Sequence, residues 1–203
     1  MKHYFIYASL LLGALTATTS HAAIIDHGTY LSDLTNNKDW LDVTATIDRS
    51  YDDISSKFGV GQEFDGWSYA NSSDLEALVI SAAGAPDSVN TNTLNYTGEK
   101  LDELIALLGV TRADGRAESV LGILIDETSA FNTMGILRDI LTPGVDDIAF
   151  LRSGAFFDSF ANSITGNYLI RDSVSVSAVP IPAAIYLMGS GLIGLLGVRR
   201  KKS

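Results

Sequence analysis

The sequence predicts a single α+β domain with early helices and a mainly antiparallel sheet, set between two apolar, acid-free ends. Three observations predict it. Apolar residues recur at three- and four-residue spacing through the first part of the middle region. Shorter apolar or alternating runs follow it. No cysteine is present, which excludes disulfides, thiolate zinc sites and a cysteine nucleophile and leaves packing to supply stability.

Trp40-Leu41-Asp42-Val43-Thr44 reads as a short strand. Ser50 precedes Tyr51, Ile54 and Phe58, which share one helical face, and Gly59 and Gly61 stop that helix. Phe64 to Ala70, with Gly66 inside, reads as a turn into a strand. Ser73-Asp74-Leu75-Glu76 has the form of a capping box opening a helix that carries Leu75, Leu78 and Val79 towards Gly84. The polar run APDSVNTNTLNYTGE then predicts a long surface loop or an insertion. Leu101, Leu104, Ile105 and Leu108 form the stripe of another helix, ended by Gly109. Val120 to Ile125 predicts a buried strand, Phe131 to Leu141 reads equally as loop or short helix, and Ile148 to Leu151 predicts a strand. Asn167 to Ser177 is the final strand by its alternation.

The two ends carry the clearest signals. Lys2 followed by the apolar run Tyr4–Leu15, a polar TATTS and small residues at Ser20 and Ala22 predicts a secretory signal peptide over 1–22, cleaved between Ala22 and Ala23. Its run is shorter than the roughly 20 residues a span needs. At the other end, residues 181–198 carry no charge and reach about 27 Å as a helix, enough for a bilayer core. Arg199, Arg200, Lys201 and Lys202 then form a membrane stop that stays cytoplasmic by the positive-inside rule. Both signals place residues 23–178 outside the inner membrane. That region holds nine basic and 24 acidic residues, an excess of 15 negative charges that repels nucleic-acid phosphates.

Val179-Pro180-Ile181-Pro182-Ala183 precedes the span, and its proline pair holds the chain extended for a protease. Motif, apolar helix and basic cluster together resemble the PEP-CTERM sorting signal of Gram-negative bacteria, in its Val-Pro-Leu-Pro-Ala variant. Ile181 stands for Leu, and Met188-Gly189-Ser190-Gly191-Leu192 is similar to that signal's core. The glutamate of the parent Pro-Glu-Pro motif is absent. The resemblance implies recognition by an exosortase, a membrane cysteine protease, and release or transfer to the surface in bacteria that make exopolysaccharide. Trp40, Leu41, Asp42, Ser50, Tyr51, Gly66, Trp67 and Ala70 resemble the first half of a domain common among PEP-CTERM proteins, and Asn167-Tyr168-Leu169-Ile170-Arg171 its closing strand. Ser68 stands where that domain has Arg. The strand–helix–Gly-Trp strand–helix order is also similar to C-type-lectin-like domains.

Catalytic chemistry finds little support. His27 is the single histidine beyond the signal peptide, too few for a zinc shell without cysteine and poorly placed for a Ser-His-Asp triad. The acid pairs Asp52-Asp53, Asp126-Glu127 and Asp146-Asp147 read as solvated surface rather than as a glycosidase pair. Asp33, Asn36, Asn37 and Asp39 read as a turn, lacking the glycine and distal glutamate of a calcium loop. Trp40, Trp67, Tyr51 and Tyr69 read either as a sugar platform or as core, with core favoured for the tryptophans. The expectation is an exported, non-enzymatic surface or matrix protein with no cofactor. Its partners are an exosortase-like protease, the membrane and exopolysaccharide. The alternative is a carbohydrate- or calcium-binding module held by a single C-terminal transmembrane helix.

Overall fold

The computed structural model describes residues 24–126 and 128–173. The cleavage pair Ala22–Ala23, Val174 and Val176 of the expected last strand, the motif Val179–Ala183, the span 181–198 and the stop Arg199–Lys202 lie outside the described residues.

The domain is mostly antiparallel sheet with few helices, of α+β type. The first sheet contains β1 (Ile24–Asp26), β2 (Tyr30–Asp33), β3 (Lys38–Leu41), β4 (Ser68–Tyr69) and β12 (Leu169–Asp172). Its order is β1-β2-β3-β12-β4, and every pairing is antiparallel. The second is built on three long strands, β8 (Ala117–Leu124), β9 (Asn132–Ile140) and β10 (Asp147–Phe156). The hairpin β5 (Ser88–Asn90) and β6 (Thr93–Tyr96) extends it beyond β10, and β7 (Arg112–Ala113) and β11 (Gly166–Asn167) pair with β8. Only β11 runs parallel to its neighbour among these pairings.

Among the described residues three α-helices accompany the sheets: α1 (Tyr51–Ser55), α2 (Ser72–Ala83) and α3 (Asp102–Leu108). Ser50 caps α1 by accepting from Asp53 N, as its position predicts, but the helix ends at Ser55, before Phe58 and the glycines. The capping box of α2 lies two residues upstream of the expected one. Asn71 Oδ1 accepts from Ser73 N and Asp74 N, and Asp74 Oδ2 accepts from Asn71 N. Asn wins because its carbonyl reaches both free amides of the first turn. Leu104, Ile105 and Leu108 of α3 are buried as their spacing requires.

Several expectations are corrected. Strands β1 to β3 precede the first α-helix, so the order is not simply helices early and strands late. Val43–Thr46 is a 3-10 helix rather than the end of a strand. The polar run after α2 is not a loop: it forms the β5–β6 hairpin, because Leu94 and Tyr96 alternate with Thr93 and Asn95 and bury one face in the core while β6 pairs with β10. The undecided run 131–141 contains β9, paired with β8 from Thr133 to Ile140.

Strands β8 and β12 lie between two apolar cores, and alternation divides their side chains. Val120, Leu124, Tyr168 and Ile170 join Trp40 and the faces of α2 and α3 in one core. Leu121, Ile123 and Leu169 join Ile54, Phe64 and Tyr69 in the other. This two-sided burial is why Val120–Ile125 reads as an unbroken apolar run.

Candidate functional site

The sequence-marked residues separate once folded. His27 Nε2 donates to Ser32 Oγ at 3.0 Å, and Ser32 Oγ donates to Asp39 Oδ1 at 2.6 Å. The serine sits between histidine and aspartate, whereas a triad requires the histidine in the middle. Asp39 is instead the partner of Arg171, whose guanidinium lies 4.7 Å over the Tyr30 ring and 4.4 Å over that of Trp67. Asp33 Oδ1 accepts from Thr35 N, Asn36 N and Ser81 Oγ, so Asp33, Asn36 and Asn37 belong to the expected turn, whereas Asp39 lies beyond it on β3.

The four aromatic candidates do not assemble into a platform. Trp40 is buried, and Tyr168 meets it edge-on. Tyr69 is buried under Tyr51 and Phe58, with its hydroxyl donating to Asn167 Oδ1 at 2.8 Å. Trp67 is covered by Arg171. A different pair is open: Phe157, 72% exposed, meets Phe131, 41% exposed, edge to face at 5.3 Å. Beside Phe131 a groove of about 310 Å³ is lined by Tyr51, Asp126, Asn132 and Asp158. Asn132 Nδ2 donates to Asp158 Oδ1 at 2.8 Å, and Arg152 pairs with Asp126. No alternation or motif marks these residues in the sequence; the β9–β10 pairing brings them together.

The acid pairs also part company. Asp52 and Asp53 are exposed, with Asp53 paired to Arg49. Asp126 is held by Arg152, and Glu127 lies outside the described residues. Asp146 is exposed, but Asp147 is only 2% exposed, which corrects its reading as surface. The reason is strand alternation: Asp147 opens β10 facing inward, and its oxygens accept from Leu101 N and Ile140 N.

Asp147 does not stand alone. Asp102 at the start of α3 and Asp139 near the end of β9 bring carboxylate oxygens that all lie within 4.8 Å of one another and of Asp147. Asp139 is 7% exposed. Burial, then the nearby Asp102, Asp147 and Glu118, push its carboxyl up to about 6. Burial likewise raises Asp147, partly offset by its two backbone donors. Asp102 Oδ1 is buried with no hydrogen-bond partner. The three flank a concavity of about 490 Å³, bordered by Glu99 and the loop from Leu141 to Val145. These acids come from three elements, so no local spacing announced them.

Among the described residues, no helix is long and apolar enough to cross a membrane. Comparison with models of known protein families, with curated proteins and with solved structures gave no match.

Proposed function

We propose that the chain is a non-enzymatic exported protein of the cell surface or extracellular matrix. A signal peptide delivers it, its C-terminal helix holds it in the inner membrane, and an exosortase-type protease sorts it into an exopolysaccharide-rich surrounding. The observation that carries this reading is the tail: the proline-paired motif Val179–Ala183, an 18-residue uncharged stretch and four successive cations in fixed order. The domain boundary supports it. The last strand of the described residues ends at Asp172, seven positions before Val179 in the sequence. The order β3, α1, the Gly66-Trp67 turn into β4, then α2 supports a C-type-lectin-like arrangement.

Fractionation of the full-length chain in an exosortase-bearing Gram-negative host tests the reading. With the protease present, the chain is expected at the surface or in the medium; with it deleted, full-length chain is expected to stay in the inner membrane. Identical distribution in both strains contradicts the proposal.

A second reading, a carbohydrate-binding module, is favoured by the open Phe131–Phe157 pair beside Asp126, Asn132 and Asp158. Aromatic faces pack on the apolar faces of sugar rings, and planar polar groups at their edge accept and donate to hydroxyls. Sedimentation of the full-length chain with the host's exopolysaccharide is the test: Phe157→Ala is expected to weaken binding at least fivefold, and unchanged binding contradicts this reading.

A further inference from the structure

We propose that the carboxylates of Asp102, Asp139 and Asp147 form a binding site for a hard divalent cation, Ca2+ in the first place. The inference goes beyond the sorting and sugar-binding readings and depends on neither.

Geometry comes first. Three oxygens from α3, β9 and β10 lie within 4.8 Å of one another, close enough to share one ion. Asp147 is fixed by its two backbone donors, so one arm of the cluster is held before any ion arrives. The loop from Leu141 to Val145 borders the same concavity, and calcium takes backbone carbonyls alongside carboxylates to complete six to eight oxygens. Magnesium demands a tighter octahedron and keeps several waters, so this mixed, open-sided set suits calcium better.

The second observation is the want of a partner. Asp139 is 7% exposed, and its polar neighbour is the carboxyl of Asp147, itself an acid. Asp102 Oδ1 is buried with nothing donating to it. Among the described residues no Lys, Arg or His forms an ion pair with any of the three; the salt bridges present use Asp39, Asp53, Glu63, Asp87, Asp114, Asp126 and Asp172. Arg138 precedes Asp139 on β9, and alternation directs it to the opposite face of the sheet. Buried carboxylates left unpaired are costly, and structures meet that cost with a cation, a proton or a donor.

The test is calorimetric and thermal titration of the full-length, chelator-treated chain in detergent with CaCl2 and, separately, MgCl2. One site per chain is expected, with affinity in the range of extracellular modules, about 0.1–1 mM. At tenfold excess over the dissociation constant Ca2+ should raise the melting temperature by roughly 3–6 °C. Asp139→Asn should fold without calcium and lose at least tenfold in affinity; Asp102→Asn, at a less buried position, should do the same and decides the matter if Asp139→Asn does not fold. Asp52→Asn, on the open surface, should bind like the wild type. No response to either ion up to about 10 mM, or wild-type binding by the folded cluster variants, overturns the proposal. An equal or stronger response to Mg2+ overturns the calcium assignment.

Discussion

Arg171 and Asp39 are direct cross-strand partners of β12 and β3, and Arg171 Nε donates to Asp39 Oδ2 at 3.0 Å. The pair ties the last strand of the domain to the β2–β3 hairpin. Asp39 is nearly buried, while the guanidinium is part-exposed between the Tyr30 and Trp67 rings. Removing the arginine leaves a buried carboxylate with only Ser32 for support. Arg171→Met is therefore expected to cost about 1–3 kcal/mol, reduced from a fully buried pair by the exposure of the arginine. Arg171→Lys should recover less than half of it, because an ammonium cannot stack as a plane on two rings. Urea denaturation measures both.

Gly122 and Gly135 face each other across β8 and β9, and the ring of Tyr168 lies against both. A Cβ at Gly122 would fall 2.6 Å from Tyr168 Cδ2, and one at Gly135 would fall 2.5 Å from Leu75 Cδ2. Gly135→Ala should cost about 1–3 kcal/mol by overpacking, despite the gain in strand propensity that alanine normally brings. Chemical denaturation is the check, and equal or greater stability would show that the core has room there.

Asn71 closes the N-terminus of α2 through both amides of its first turn. Asn71→Ala should lower stability by about 0.5–2 kcal/mol, and Asn71→Ser by distinctly less. The difference between the two variants, read by thermal unfolding, isolates the cap from the burial of the helix.

Asp139 gives the empty domain a signed pH dependence. Its carboxyl titrates at about 6 when folded, against an ordinary value of 3.8, so between those values the folded chain keeps a proton the unfolded chain has released. Its contribution to stability is greatest below the ordinary value and is lost as pH rises through about 6. With a chelator present, Asp139→Asn should therefore gain on the wild type between about pH 4 and 6. Melting curves across that range check it, and a gap that does not widen with pH contradicts it.

The helices α2 and α3 were legible because their stripes are long and end at Gly84 and Gly109, both with positive φ. The β5–β6 hairpin was missed because two buried residues, Leu94 and Tyr96, alternate inside a strongly polar run. Strand β9 was hidden by Gly135 and by Arg138-Asp139, which break an apolar pattern for tertiary reasons: one makes room for Tyr168, and the other contributes to a carboxylate cluster. Local pattern cannot disclose that cluster, since Asp102, Asp139 and Asp147 meet only after α3 docks against β9 and β10. Asp146 and Asp147 look alike in sequence, but Asp146 is exposed in the loop and Asp147 opens β10 facing the interior.

Mass spectrometry of the mature protein, recovered from outside the inner membrane of an exosortase-bearing host, tests the central claim most directly. The account predicts a chain beginning at Ala23 and ending near Pro182, without the apolar stretch and its cations. A mature chain that still carries Arg199–Ser203 would contradict it.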